Sequence, residues 1–124
     1  MEFKIDTKDN FTVIIPVADD LNAALADNIA AKCEETRQNG SNNFIIDLQH
    51  IKNADQPGLE LLVKLHEDCY SNERSLVFTG LSAAVMNEMK VNETDLLLNV
   101  APKMIEAIDI ISMEILERDL LSEE

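Results

Sequence analysis

The stretch from Phe44 to Leu65 constrains the fold more than any other part of the chain. An apolar run, Phe44-Ile45-Ile46, ends in Asp47, and a mostly polar segment from Leu48 to Ala54 leads to Asp55-Gln56-Pro57-Gly58. Apolar residues then recur as Leu59, Leu61, Leu62, Val63 and Leu65. A short apolar run of this kind predicts a buried strand. Pro57 fits the first turn of a helix, where its missing N–H is not needed. A buried strand that feeds a helix belongs to an α/β sheet, and the loop between them lies at the carboxyl edge, where such folds place their sites. This loop is therefore the first candidate site.

The flanking sequence extends the pattern. Residues 2 to 6 alternate, and residues 11 to 17 form a β-rich run; Thr7-Lys8-Asp9-Asn10 between them predicts an antiparallel hairpin. Pro16 is expected to end the second strand, and Asp19 or Asp20 to cap the following helix. In that helix Leu21, Leu25, Ile29 and Cys33 recur every four residues to about Gln38, with Gly40 as the stop. Asn43 to Leu48 is a central strand, and residues 57 to 70 form a helix with a narrow wet face of Lys64, Glu67 and Asp68. Ser75 to Thr79 is a strand, Gly80 a break, and Ser82 the cap of a short helix through Val85, Met86 and Met89. Leu96-Leu97-Leu98 is a candidate last strand, with a helical turn as the alternative. The final helix runs from 101 to about 118 with Met104, Ile108, Ile111 and Ile115 on its main stripe, before an acidic end at Ser122-Glu123-Glu124. The order β-β-α-β-α-β-α-(β)-α predicts an α/β fold with a mixed sheet and helices packed against it, residues 1–124 forming one domain.

Charge narrows the function. With 24 acids against 10 Lys and Arg, the formal net charge is −14. Such a surface repels phosphate backbones and anionic membranes, which excludes nucleic acid as a direct partner and favours a basic protein patch. No apolar run approaches the ~20 residues that span a bilayer, and Met1-Glu2-Phe3-Lys4 does not open a signal peptide, so no membrane insertion and a cytoplasmic location are expected. The two cysteines, Cys33 and Cys69, fall inside helical patterns and are expected as small buried apolar residues without a disulfide.

Enzymatic chemistry finds little support. Asp19, Asp20, Asp47, Thr79 and Lys103 imitate the order of a phosphoacceptor receiver. Only 26 residues separate Asp20 from Asp47, however, which is too few for the extra strand and helix that topology requires. His66 and Cys69 share a helical face, but two ligands do not make a zinc site; Cys69 is expected in the core and His66 at its edge. No nucleophile elbow, P-loop or dinucleotide-binding glycine motif is present. Asp47 and Asp55 are expected to bond loop and helix-start amides rather than to act as acid and base. No catalytic residue, metal ligand or cofactor is assigned.

At the same loop the chain resembles the STAS domain family, the fold of sulphate transporters and anti-sigma factor antagonists. The family pattern is an apolar strand ending in Asp, seven residues, then Asp-Ser-x-Gly opening an apolar helix; here it is Phe44-Ile45-Ile46-Asp47, Leu48 to Ala54, and Asp55-Gln56-Pro57-Gly58-Leu59. Leu76 to Gly80, Ala84-Val85, Leu96 to Leu98 and Ile105 to Ile108 extend the likeness along nearly the whole chain. In the antagonist class the motif Ser accepts a phosphoryl group that breaks the complex with a kinase or anti-sigma factor, because it brings nearly two negative charges to a docked surface. Gln56 occupies that slot here and offers no hydroxyl.

The resemblance implies a non-catalytic interaction module that docks an anti-sigma factor or serine-kinase-like regulator, without phosphorylation control at Gln56. The expected contact residues are Asp55, Gln56, Pro57, Gly58, Glu60, Lys64 and Ser82. The alternative is an accessory STAS subunit of a transporter or stress-signalling assembly. A homodimer is a further expectation, because Ile110 and Met113 fall off the main stripe of the last helix; the competing assignment places them at a second core edge.

Overall fold

The computed structural model describes residues 2–122, and the acidic end at Glu123 and Glu124 lies outside them. The element order is β1 (Glu2–Thr7), β2 (Thr12–Val17), β3 (Asp20–Leu21), α1 (Ala23–Gln38), β4 (Phe44–Asp47), β5 (Asn53–Ala54), α2 (Gln56–Ser71), β6 (Leu76–Thr79), α3 (Ala83–Val91), β7 (Val100–Ala101) and α4 (Met104–Ser122). Five strands form a mixed sheet in the order β1-β2-β4-β6-β7, and β3 pairs with β5 in a small second sheet. Only the β1–β2 pairing in the large sheet is antiparallel; β2, β4, β6 and β7 run parallel. This is the α/β arrangement expected from the alternation of elements.

Strand periodicity divides the core. Ile14, Phe44, Ile46, Leu76 and Phe78 point to one face and meet Leu25 and Ile29 of α1, Leu59 and Leu62 of α2, and Val85 and Met89 of α3. Their neighbours Val13, Ile45 and Val77 point the other way, onto Ala107 and Ile111 of α4. The parallel strands advance in one direction, so crossovers of one hand carry all three connecting helices to the same face. Among the described residues α4 alone covers the other.

Several local expectations are corrected. Pro16 does not end its strand, which continues to Val17. Its antiparallel partner is Phe3, and the pairing of β2 with β4 spans only Thr12 to Ile14, so the missing N–H breaks no rung there. The cap of α1 is Asn22, whose side chain accepts from Leu25 N at 2.9 Å, rather than Asp19 or Asp20. Leu21 is buried but belongs to β3. Of the two readings of Leu96 to Leu98 the strand is corrected and the turn holds: Leu96 and Leu97 are exposed on a turn, only Leu98 enters the core, and the last strand is Val100–Ala101. α4 begins at Met104 and reaches Ser122, which is helical rather than frayed. Its expected stripe does face the sheet: Ile111 is buried, with Met104, Ile108 and Ile115 packed beside it. Ile110 joins that cluster, whereas Met113 remains 62% exposed.

Candidate functional site

The loop from Asp47 to Gly58 is pinned from below and from the side. Leu48 and Ile51 are buried. Leu48 N donates to Thr79 O at 2.9 Å and Ile51 N to Leu48 O at 3.0 Å. Lys52 N and Asn53 N both donate to Asp19 O, at 2.7 and 3.1 Å, and Asp55 N donates to Leu21 O at 3.1 Å, so the β3–β5 ladder ties the loop to the segment before α1. A loop with so many backbone bonds presents its side chains in a fixed arrangement.

Asp47 and Asp55 have separate structural tasks. Asp47 is buried at the end of β4 and accepts from Gln49 N at 3.1 Å and Gln49 Nε2 at 2.9 Å. Gly80, at φ +73°, passes so close that a Cβ there would collide with the Asp47 carboxylate. Asp55 is the cap of α2, its Oδ1 accepting from Gly58 N at 2.8 Å. The helix start has little left for an anion, since Pro57 has no N–H and Gly58 gives its own to Asp55. Each carboxylate is engaged with amide donors close to it in sequence.

Asp55, Gln56, Pro57, Glu60 and Lys64 are exposed. Gln56, Glu60 and Lys64 succeed one another at four-residue spacing on the outward side of α2, and Gln56 Nε2 donates to Glu60 Oε1 at 2.9 Å. Gly58 is buried. A Cβ on it would stand 2.6 Å from Leu21 O and 3.0 Å from Asn22 C, so Gly58 lets α2 start against the β3 backbone. Ser82 is half-buried and caps α3, accepting from Val85 N at 3.2 Å. It follows β6, the strand beside β4, and α3 packs against β5, so the starts of α2 and α3 are gathered at one edge of the sheet.

Asp20, Leu21, Asn22 and Asn53 complete this edge and are not among the contact residues expected from sequence. With Ala54 and Asp55 they line a shallow cavity of about 280 Å³. Asn53 Nδ2 donates to Asp20 Oδ1 at 3.3 Å across the short ladder. The local signal was weak, because a two-residue strand has no periodicity to detect.

Cys33 and Cys69 are both free and buried. Burial pushes both thiols up, Cys69 to about 11, which removes them from nucleophilic chemistry near neutral pH. Among the described residues no group of three or more His, Cys, Asp or Glu could hold a metal ion, and no helix is long and apolar enough to cross a membrane. This edge presents a polar, mainly acidic surface.

The STAS domain family model matches residues 2–109. A putative anti-sigma factor antagonist from Thermotoga maritima superposes with a TM-score of 0.72 at 16% identity, over 89% of this chain and 94% of that one. An anti-sigma factor antagonist from Mycobacterium paratuberculosis gives 0.74 at 14%, over 90% and 93%. The anti-sigma factor antagonist SpoIIAA in its unphosphorylated form gives 0.67 at 16%, over 90% and 96%. Comparison with curated protein sequences returns no match. The structural likenesses are likenesses of fold.

Proposed function

The chain belongs to the STAS domain family, and on that premise we propose that residues 1–124 act as one non-catalytic interaction domain of the anti-sigma factor antagonist type in the bacterial cytoplasm. It docks an anti-sigma factor or serine-kinase-like regulator through Asp55, Gln56 and Pro57, the Glu60 and Lys64 face of α2, and the Ser82 helix start, with Gly58 setting the position of the ridge. Structures of anti-sigma factor antagonists with this fold support the reading. The observation that carries it is the exposed Gln56-Glu60-Lys64 ridge of α2, rising from a loop otherwise consumed by internal hydrogen bonds.

Gln56 stands in the slot of the phosphoaccepting Ser, so docking here is not reversed by phosphorylation of that residue. Its carboxamide donates to Glu60; a carboxylate in its place would repel Glu60 and alter the charge of the ridge at its centre. Pull-down from the source cell with wild-type, Gln56→Glu and Lys64→Glu baits tests the proposal. The expected result is that wild type retains one such regulator and the variants lose it. Retention by all three baits would remove the ridge from the interface, and phosphate incorporated at residues 49–58 by the cognate kinase would overturn the unswitched character of the loop.

A further inference from the structure

α4 carries a second apolar stripe on the side away from the sheet. Ile105, Met113, Leu116 and Leu120 are each more than half exposed. Met113, Leu116 and Leu120 lie on one line of the helix, spaced by three and four residues, the interval at which one helix receives the side chains of another; Ile105 extends the line beyond Asp109, which stands on it between Ile105 and Met113. From Ile105 to Leu120 the line is about 22 Å long, four turns of helix. The surroundings are acidic: Glu106 and Glu117 flank one side of the line, Asp119 the other, and Asp109 stands on it; all four are exposed. The single Arg of α4, Arg118, is half-buried and donates to Asn43 Oδ1 at 2.8 Å instead of serving this face.

The charge decides the occupant. A second copy of the chain would set the acidic borders against each other in either helix orientation, on a molecule whose net charge is already −14. An anionic membrane is repelled in the same way. A helix whose apolar seam is bordered by Lys and Arg meets both features, burying the stripe and neutralising its edges. We propose that the outer face of α4 docks a basic amphipathic helix of a partner protein. This surface lies across the sheet from the three connecting helices and is independent of the docking assigned to the start of α2.

The test uses fluorescence anisotropy of a labelled synthetic peptide of about four helical turns, with Leu along one seam and Lys on its borders, against the full chain at physiological ionic strength. Two control peptides keep the seam with Glu borders, or keep the composition with the seam scrambled. The Leu/Lys peptide is expected to bind, and the controls not. Met113→Gln with Leu116→Gln should weaken it at least about tenfold, equivalent to ~1.4 kcal/mol, while Asp27→Asn on the exposed side of α1, across the sheet, leaves it unchanged. Asp109→Lys with Glu117→Lys should move the preference towards the Glu-bordered peptide; circular dichroism verifies that each variant is folded. Equal binding of the scrambled peptide, no binding of the Leu/Lys peptide, or indifference to the stripe substitutions overturns the proposal. So does a wild-type dimer by light scattering that the Met113→Gln, Leu116→Gln variant turns into a monomer.

Discussion

Gly58→Ala tests the placement of the candidate site through one methyl group. In an exposed helix this substitution stabilises by about 0.8–1 kcal/mol, because Ala loses less backbone freedom. Here the new Cβ would sit 2.6 Å from Leu21 O, where ordinary contact begins at 3.4 Å, so α2 or β3 must retreat by about 0.8 Å. Leu21 O cannot yield freely, since it already accepts from Asp55 N at 3.1 Å in the short ladder that anchors the loop. Overpacking of this kind costs about 1–3 kcal/mol, and loss of the Asp55 rung would add about 0.5–1.5 kcal/mol. After the helix gain the net destabilisation is about 1–3 kcal/mol. Urea unfolding should show it as a midpoint lowered by about 1 M at unchanged slope, taking a slope of about 1–3 kcal/mol per M. A midpoint equal to or above that of wild type would refute the close approach of α2 to β3, and with it the fixed geometry of the ridge.

Three further outcomes are expected. Asp55→Ala should lower stability by about 1 kcal/mol through loss of the α2 cap, while Asp55→Asn, which keeps an oxygen for Gly58 N, should retain most of it; denaturant melts of the two variants distinguish a cap from a purely charged contact. Tyr70→Phe removes a hydroxyl that donates to Glu114 Oε1 at 2.7 Å and accepts from Asn99 Nδ2 at 2.6 Å, so a loss of about 1–3 kcal/mol is expected by thermal or urea unfolding. Burial holds the His66 imidazole below its ordinary value, against the opposing pull of Glu114 and Glu67, and among the described residues its Nε2 is buried without a partner. The unfolded chain therefore binds this proton more readily: the contribution is fully present above about pH 6.5 and is lost as pH falls towards the lower folded value. His66→Gln should flatten that part of the stability profile, and an unchanged slope would count against it.

Legibility in the sequence followed the range of the interactions. Phe44 to Asp47 announced a strand because burial on both faces leaves a continuous apolar run, and the Asp55 and Ser82 caps depend on partners only three residues away. The α1 cap was misplaced because two acids precede Asn22, and the choice is made when Asp20 and Leu21 are drawn into pairing with Asn53 and Ala54, more than 30 residues further on. Leu96 to Leu98 had the composition of a strand, yet Leu97 N closes a turn onto Thr94 O at 3.0 Å and only one of the three leucines meets the core. Gly58 was legible as part of a motif, but the reason for glycine, the backbone of Leu21 and Asn22 across the gap, exists only after folding.

The same topology accounts for the contrast between the two sides of the molecule. A parallel sheet whose strands advance in one direction receives its connecting helices on one face, and those helices bury one another's flanks as α1 does with α2. Among the described residues no second helix packs beside α4 on the opposite face, and its link to α2 is the Tyr70 to Glu114 hydrogen bond. Its inward stripe is spent on Val13, Ile45 and Val77, so the apolar residues on its outer side find no covering within residues 2–122. Acidic borders keep such a stripe soluble by repelling further copies of the chain, and they also make its affinity for a basic helix dependent on ionic strength. The start of α2, in contrast, exposes a ridge on which one acid, Glu60, is bonded to the neutral Gln56 and one base, Lys64, follows, so its charges are few and of both signs. Salt should therefore weaken association at α4 more steeply than association at the α2 ridge.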